Sequence, residues 1–353
     1  MGKALEKITV IKTGLLTSVQ DQGRPDLLHL ALSRAGAMDA MQMALANRLV
    51  GNPPGSAGLE FTGVGPTLYF DQPACIAWTG GVMSARLIPD EGSECAVPSH
   101  RPVMIPARST LRFGSCTAGF RCWFAVSGGL DVEQLLGSRS QHLAADIGPP
   151  RITANSSLSV GRQAASAFQA VAQALDRDPQ SFEQKVGAKK GTAMMRSTRW
   201  FLPTSVPFSW PLIELCALPG RHLELLPQAD RQHLLTQAWK VSPRSNRQGL
   251  GLEGTPINPS ALGNLLSEPI REGTVQLPPA GFPFILLAEH QSTGGYPRVL
   301  EVIGAMSPEL AQAGPSARIV FKLVDIDAAD LLRQERRFAY QTLVSTVESK
   351  LAL

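Results

Sequence analysis

Polar and charged side chains crowd together at the ends of several apolar segments, and these clusters are where the chain could do chemistry. The heptapeptide 291–297 follows an apolar run over 282–288 and places amide, hydroxyl and phenol groups around two glycines. Because glycine has no Cβ, such a segment lets a ligand approach the backbone closely. The same residues also suit a tight turn, with positive φ at the glycines and an exit fixed by proline. The heptapeptide therefore predicts either a binding site or a turn.

Two further clusters carry guanidinium groups. Gln20, Asp21 and Arg24 follow a predicted strand, and Arg139 lies between two hydroxyls in the segment 137–140. A guanidinium flanked by hydroxyls suits a carboxylate or a phosphate. In the alternative interpretation, Asp21 accepts backbone N–H groups within a self-contained turn and pairs with Arg24, while Arg139 is a solvated loop residue. These residues alone leave both interpretations open.

A fourth cluster, residues 242–254, combines arginines and a carboxylate with hydroxyl and amide side chains beside alternating leucines. Asp39 precedes a helical pattern over 40–50, where an N-cap role alone would explain it. The six histidines show no metal-ligand spacing, and His290 is of interest because it adjoins the heptapeptide. Such groups at strand ends suit the binding of a small polar substrate and the stabilisation of charge that develops on it. They do not indicate a covalent nucleophile.

The sequence motifs that mark several functional classes are absent from this chain. The sequence contains no GxxxxGK[ST] phosphate loop, no GxGxxG, no HExxH and no GxSxG. The five cysteines show no ligand spacing, so no metal site is expected. The net charge of +4 is scattered and no apolar run reaches about 18 residues, so we expect neither nucleic acid nor membrane as a partner. The cysteine usage and the lack of a signal-peptide pattern predict a cytoplasmic protein.

The composition predicts a strand-rich fold that positions these clusters. Hydrophobic residues make up 44% and charged residues 18% of the chain, which also has 32 glycines and 27 prolines. Short strands between Gly and Pro turns favour a sheet that curls into a barrel or a sandwich. A length of 353 residues suits two domains. A Ser/Thr-Gly-Gly triplet closes an apolar strand pattern at 79–81, 127–129 and 293–295, which favours an internal duplication.

Eight ordered motifs resemble a known family, the KipA / allophanate hydrolase subunit 2 family. Its members include the C subunit of the bacterial ATP-dependent 5-oxoprolinase and the matching part of the carboxyltransferase domain of urea carboxylase. The chain differs from the common family pattern at Gln248 and at Glu289-His290. The motifs are GLLTSVQDQGR (14–24), GAMD (36–39), ANRLVGNP (46–53), GPTLYF (65–70), FAVSGGLDV (124–132), LGSRS (136–140), SPRSNRQGLGLEG (242–254) and QSTGGYP (291–297).

The resemblance implies a mainly β fold with some helix, built from two cyclophilin-like β-barrel domains in tandem. We expect the first barrel domain over 1–164, a linker over 165–200, the second barrel domain over 201–325 and a C-terminal helical tail over 326–353. A cyclophilin-like shape does not imply prolyl isomerase activity.

The resemblance also implies a function in a complex. The chain would be the C subunit of an ATP-dependent 5-oxoprolinase, inactive alone, which acts with a KipI-like B subunit and a LamB/YcsF-like A subunit to open the lactam 5-oxoproline to L-glutamate. ATP with Mg would bind at the assembled complex. One alternative is a component of a biotin-dependent carboxyltransferase acting on urea or another amide. This chain has no Met-Lys-Met motif and carries no covalent biotin, so biotin would arrive on another protein. Another alternative is a non-catalytic regulator that binds a KipI-like kinase inhibitor.

The family motifs and the neighbouring His290 supply the candidate site residues, whose individual roles are unassigned. The catalytic candidates are Arg24, Asp39, Arg139, Arg247 and His290. The candidates for substrate binding are Gln20, Asp21, Asn47, Ser138, Ser245, Asn246, Gln291, Thr293, Gly294, Gly295 and Tyr296.

Overall fold

The computed structural model describes residues 6–90, 93–162, 164–177, 195–203, 212–259 and 265–352. Within these ranges the chain forms a β-rich first half, a β-rich second half and a long C-terminal helix. The first-half strands are β1 (Lys7–Lys12), β2 (Leu16–Gln20), β3 (Gly58–Thr62), β4 (Thr67–Phe70), β5 (Ala74–Pro89), β6 (Cys95–Ala96), β7 (Val103–Ile105), β8 (Ser109–Val126), β9 (Ser157–Ser159) and β10 (Arg196–Ser197). The second-half strands are β11 (Ile213–Pro219), β12 (Trp239–Val241), β13 (Gly249–Glu253), β14 (Glu268–Pro269), β15 (Thr274–Gln276), β16 (Phe284–Leu286), β17 (Thr293–Gly294), β18 (Arg298–Val302) and β19 (Arg318–Leu323). The helices are α1 (Ala40–Leu49), α2 (Ala165–Arg177), α3 (Gln228–Thr236), α4 (Ser307–Gln312) and α5 (Ile326–Leu351), with short 3-10 turns at Leu28–Leu30, Leu223–Leu225 and Gly304–Met306.

The first half is a ten-stranded sheet organised by two long antiparallel strands, β5 and β8. The beginning of β5 is buried on both faces: Ile76 and Trp78 point into the main core, and Cys75 and Ala77 point towards the helices. Further along, β5 alternates buried and exposed residues because only one face is covered there. The main path of the sheet runs in the order β10, β7, β5, β8, β4, β1, β9.

The second half is a closed barrel of seven strands in the order β11, β18, β15, β16, β13, β12, β19. Its closing pair, β11 and β19, is parallel, and the other neighbouring pairs are antiparallel. Apolar residues alternate along its strands, as a half-buried strand requires, and fill the interior. Met43 and Trp123 of the first half pack into this same core, so the two halves share apolar contacts.

Helices α1, α2 and α5 pack on the outside of the first-half sheet. Leu45 and Leu49 of α1 contact a cluster that also contains Val171 of α2 and Val347 of α5. Arg48 forms an ion pair with Glu348 at 2.7 Å, which adds a polar contact between α1 and α5. The C-terminal helix therefore folds back from the second half onto the first.

The predicted mainly β fold class is confirmed, and so are the helices predicted over 40–50 and near the C-terminus. The segment predicted as a linker, 165–200, contains α2 and also β10, which pairs with β7. Its central part, 178–194, lies outside the described residues. The domain boundaries themselves stay predictions.

Two local predictions about the glycine triplets are wrong. Residues 79–81 do not close a strand, because β5 continues through them and accommodates Gly80 in a bulge against β8. Gly294 and Gly295 do not have positive φ. Gly294 instead lies in β17, paired with Glu268, where a Cβ would come within 2.5 Å of Gln276 Nε2. Its role is to permit close packing.

The described ranges contain no helix that is both long and apolar enough to span a membrane.

Candidate functional site

A cavity of about 410 Å³ lies between the two halves of the chain and brings together two of the candidate residues. Arg24 contributes from the loop after β2, and His290 contributes from the segment after β16. We call this cavity the cleft. Its other lining residues are Gln22, Gly23, Pro25, Asp26, Leu27, Leu28, Leu32 and Arg34 from the first half and Arg271 and Glu272 from the second.

The carboxylate of Asp21 fixes the loop that carries Arg24. Its Oδ1 accepts hydrogen bonds from the hydroxyls of Ser138 at 2.5 Å and Ser140 at 2.6 Å and from the N–H of Gly23 at 2.8 Å. Its Oδ2 accepts the N–H of Arg139 at 2.6 Å. A buried carboxylate with four donors holds its acceptors in one geometry. Asp21 therefore ties the loop after β2 to the segment 137–140.

Arg24 is completely buried and only partly hydrogen-bonded. Its Nη2 donates to the carbonyl of Ser140 at 2.6 Å and its Nε donates to the carbonyl of Leu135 at 3.4 Å. Its Nη1 is buried and has no hydrogen-bond partner among the described residues. Burial lowers the pKa of Arg24, while the charges of Asp21 and Glu289 raise it. A buried guanidinium with an unused donor at a cavity is suited to bind an anion.

The alternative interpretation of this loop, a self-contained turn in which Asp21 pairs with Arg24, is only partly right. Asp21 does accept backbone N–H groups, but no ion pair or hydrogen bond joins it to Arg24 in the described structure. The serines satisfy Asp21, and backbone carbonyls hold Arg24. This arrangement leaves Nη1 without a hydrogen-bond partner in the described structure, although the atom is buried from solvent. Gln20 is also buried and donates from Nε2 to Ser18 Oγ at 3.0 Å and to the carbonyl of Gln141 at 3.1 Å.

His290 faces the same cleft with a defined tautomer. Its Nδ1 lies 2.6 Å from the carbonyl oxygen of Gln291, and because a carbonyl can only accept, Nδ1 carries the hydrogen. Burial lowers the pKa of His290, which keeps the ring neutral at pH 7. Its Nε2 is then unprotonated and able to accept a proton. Across the cleft, burial raises the pKa of Glu272, and the nearby charge of Arg34 opposes that effect.

Arg247 lies outside the cleft lining, in a buried charge network between the halves. Its Nε donates to Glu289 Oε1 at 2.5 Å, and its two Nη groups donate to Glu60 Oε1 and to the carbonyl of Gly36. The other oxygen of Glu60 accepts from Trp123 Nε1 at 2.9 Å. All three nitrogens of the guanidinium are occupied by protein groups, so this geometry gives Arg247 a clamping role between the halves.

Two other candidates support the first half and lie outside the cleft lining. Asp39 caps α1 by accepting the N–H groups of Met41 and Gln42 at 3.0 Å each, and burial raises its pKa to about 6. Asn47 donates to the carbonyl of Ser56 at 2.8 Å and accepts from Asn52 at 3.0 Å. Both side chains are buried and satisfied, which is the behaviour of structural polar residues.

Arg139 borders a second cavity of about 360 Å³ on the first half. Its Nε donates to the carbonyl of Val132 at 3.1 Å, and the cavity also contacts Gly128, Gly129 and Arg162. The backbone of Arg139 is bound to Asp21, while its side chain is half-buried and does not line the cleft. Ser138 is buried behind it, donating to Asp21.

The heptapeptide 291–297 lies beside the cleft lining, to which it connects through His290. The hydrogen bond from His290 to the carbonyl of Gln291 joins the two. The side chains of Gln291, Thr293 and Tyr296 are exposed to solvent. Residues 242–248 form a compact loop in which Asn246 Oδ1 accepts the N–H of Gln248 at 2.8 Å, and Ser245 Oγ accepts that of Gly251 at 3.1 Å.

Sequence reasoning missed several residues of this region. One feature of the sequence points to Glu60, which binds Arg247: it is the only charged residue in β3, a strand that is buried throughout. Arg34, Arg271 and Glu272 line the cleft but have no local pattern that separates them from solvated loop residues. They are brought to the site by packing of the halves.

Comparison with known proteins places this architecture in a family. The family model described as "Carboxyltransferase domain, subdomain A and B" matches residues 30–323. The chain belongs to this carboxyltransferase-domain family. The matched range contains His290, Arg247 and the other candidates of the second half, whereas Arg24 precedes it.

Members of the family that resemble this chain have two different names. The 5-oxoprolinase C subunit of Escherichia coli is 27% identical over 339 residues, which cover 95% of this chain and 97% of that protein. The urea amidolyase of Saccharomyces cerevisiae is 37% identical over 142 residues, covering 40% of this chain and 8% of that protein. The crystal structure of the Kluyveromyces lactis urea amidolyase has a TM-score of 0.79 at 22% identity, covering 97% of this chain and 20% of that one. This last likeness shows the carboxyltransferase-domain fold.

Proposed function

We propose that this chain is the C subunit of an ATP-dependent 5-oxoprolinase. In this proposal it acts with a KipI-like B subunit and a LamB/YcsF-like A subunit to convert 5-oxoproline to L-glutamate, and it is inactive without them. The observation that carries the proposal is the buried Arg24 guanidinium, whose Nη1 has no partner in the described structure, on a residue that lines the cleft. Similarity over nearly the full length to a protein named as the C subunit of 5-oxoprolinase supports it.

Arg24 would bind an anionic oxygen of the substrate. 5-Oxoproline has a carboxylate and a lactam carbonyl, and negative charge develops on the carbonyl oxygen when the ring amide is activated. A guanidinium already fixed by Ser140 and, through the loop, by Asp21 stabilises such charge without reorganising. A cavity of about 410 Å³ accommodates a molecule of this size.

His290 would move a proton in the same cleft. Its unprotonated Nε2 accepts a proton from the water that attacks the activated carbonyl, and the imidazolium can return a proton to the ring nitrogen as the C–N bond breaks. The hydrogen bond from Nδ1 to Gln291 keeps the ring in the tautomer that this step requires.

The described residues of this chain do not by themselves fit a magnesium nucleotide. They contain no group of three His, Cys, Asp or Glu side chains arranged to hold a metal ion. The lining of the cleft instead offers guanidinium groups from Arg24, Arg34 and Arg271. We therefore propose that ATP with Mg binds at the assembled complex and assign no step through it to this chain.

The proposal is tested by reconstituting the chain with its KipI-like and LamB/YcsF-like partners and measuring ATP-dependent formation of glutamate from 5-oxoproline. Replacing Arg24 by Met removes the charge and keeps most of the volume. We expect R24M to lower kcat/KM by about 100-fold or more, as for loss of a donor to a developing oxyanion. The matched control is R231M, because Arg231 is paired with Glu224 on the surface of the second half.

A second variant separates the proton step from binding. The substitution H290N removes Nε2 but keeps an amide N–H donor near the position of Nδ1. We therefore expect kcat to fall about 100-fold or more while KM changes little. H233N is its control, since His233 contacts the Thr255 carbonyl at an exposed position. The proposal is refuted if the complete assembly forms no glutamate from 5-oxoproline but turns over another amide.

The second candidate function is a component of a biotin-dependent carboxyltransferase acting on urea or a related amide. The match to the carboxyltransferase-domain family and the 37% identity to a segment of a urea amidolyase favour it. Biotin would be supplied by a separate carrier protein. Urea-dependent consumption of carboxybiotin by the assembled complex, with no glutamate formed from 5-oxoproline, would favour this function over the first.

A further inference from the structure

Two cysteine side chains lie at a bulge in β8, on the core side of the first half and next to residues that contact the second half. Cys116 and Cys122 flank an irregular stretch in which Gly119 has a φ of +74°. The bulge is visible in the pairing with β5, where Gly80 pairs with Cys122 but Val82 pairs with Ala118. This distortion turns both thiols towards one point of β5.

That point is Gly81. The thiol of Cys122 donates to the Gly81 carbonyl at 3.1 Å, and the Cys116 sulfur lies 3.3 Å from where a Cβ on Gly81 would be. The Cys122 side chain is also close enough to Cys116 to lower the pKa of its thiol. The missing side chain at Gly81 therefore provides the space in which they meet.

The two thiols have different environments. Cys122 is fully buried, whereas Cys116 is half-buried at the edge of the core. The neighbouring Cys122 side chain and the charge of Arg121 lower the pKa of Cys116, and its burial opposes them. By contrast, burial alone raises the pKa of Cys75 to about 12. Cys116 thus has the larger thiolate fraction, and the thiolate is the reactive form.

We infer that Cys116 and Cys122 form an oxidation site for hydrogen peroxide, with Cys116 as the attacking thiol and Cys122 as the resolving thiol. The Cys116 thiolate attacks a peroxide oxygen, the O–O bond breaks, and sulfenic acid forms as hydroxide leaves. The Cys122 thiol then attacks the Cys116 sulfur. An S–S bond forms, the S–O bond breaks, and water leaves with the thiol proton. The two thiols are oxidised and the peroxide is reduced to two molecules of water.

The site is adjacent to the contact between the halves. The N–H groups of Phe120 and Arg121, both within the loop that the disulfide would close, donate to Gln312 Oε1 at 2.7 Å and 3.0 Å. Arg121 Nη1 also donates to the carbonyl of Ala311 at 2.7 Å. Closing the loop constrains the backbone that makes these bonds. The redox state of the pair is therefore coupled to the contact with α4.

The test treats the full-length protein with hydrogen peroxide and maps its cysteines by mass spectrometry. We expect an intramolecular disulfide between Cys116 and Cys122, with a mass loss of about 2 Da that a dithiol reductant reverses. Cys75 serves as the internal control and should stay reduced. In C122S, dimedone should trap sulfenic acid at Cys116, whereas in C116S Cys122 should stay unmodified.

Three outcomes would overturn the inference. These are an unmodified Cys116 under conditions that oxidise a reference peptide thiol, oxidation of Cys116 in the wild-type protein without a bond to Cys122, and a disulfide between two copies of the chain. Because the wild-type protein gives a result by itself, the test does not depend on the folding of either variant.

Discussion

Replacing Arg247 by Ala should weaken the contact between the halves more than any change to a surface charge. Arg247 contacts Glu60 and Glu289, and the side chains of all three residues are at most 3% exposed. Removing the cation leaves two carboxylates buried without their main counter-charge. Breaking one buried pair destabilises by about 3–5 kcal/mol, because the remaining charge cannot regain its hydration. We expect a loss in this range or above it.

The assay is denaturant unfolding at pH 7, followed by tryptophan fluorescence. Trp123 donates its indole N–H to Glu60 and is therefore a local reporter of the network. The control is R231A, because Glu224, its partner, is 77% exposed and surface pairs contribute about 0–1 kcal/mol. A rescue variant, R247M/E289Q, removes Arg247 together with one of its two carboxylates and should recover part of the loss. It keeps Glu60, because the buried Arg121 also pairs with that carboxylate at 3.9 Å.

The reasoning fails if R247A unfolds within about 1 kcal/mol of the wild-type protein, the range of an exposed ion pair. It also fails if the double variant is less stable than R247A, because the loss would then come from the missing contacts and not from the unpaired charge of Glu289.

Two further predictions concern the N-cap of α1 and the Arg24 loop. The pKa of Asp39 is about 6 in the native state, against 3.8 for an ordinary aspartate, so the native state binds this proton more tightly than the unfolded state does. The free energy of unfolding therefore falls by about 3 kcal/mol as the pH rises from about 4 to 6. Asn caps a helix equally well but does not titrate, so D39N should remove this pH dependence and be more stable than the wild-type protein at pH 7, whereas D39A should lose the cap at a cost of about 0.5–2 kcal/mol. Urea unfolding from pH 4 to 8 measures both variants. If the free energy of unfolding of D39N changes with pH as in the wild-type protein, the assignment of the pH dependence to Asp39 is contradicted. G148A should destabilise the protein and weaken ligand binding, because a Cβ at this position overlaps the Ser140 carbonyl that holds Arg24. Gly137 is the control: it has a similar positive φ but no atom within 4 Å of the added Cβ, so G137A should show backbone strain alone. Thermal unfolding and substrate titration of the complex compare the two variants, and equal effects would contradict the role of the overlap.

The amino-acid sequence by itself was sufficient to predict the structural features that depend on residues close together in the chain. Asp39 precedes an apolar helical repeat, and the helix begins there because the carboxylate satisfies N–H groups two and three residues ahead. The Gly- and Pro-bounded apolar runs became strands because their alternation matches the pleat. The eight ordered motifs indicated the family, since each preserves residue types at fixed local spacing.

Only the tertiary structure decided which polar residues face a ligand and which face each other. Arg24 and Arg247 are both arginines in polar segments, yet Arg24 keeps an unused donor at the cleft while Arg247 is fully paired between the halves. The difference lies in their partners, Ser140 and Glu60, which are distant in sequence. Periodicity and capping act over a few residues, whereas the pairing of a buried charge depends on which strands are brought together in the folded protein.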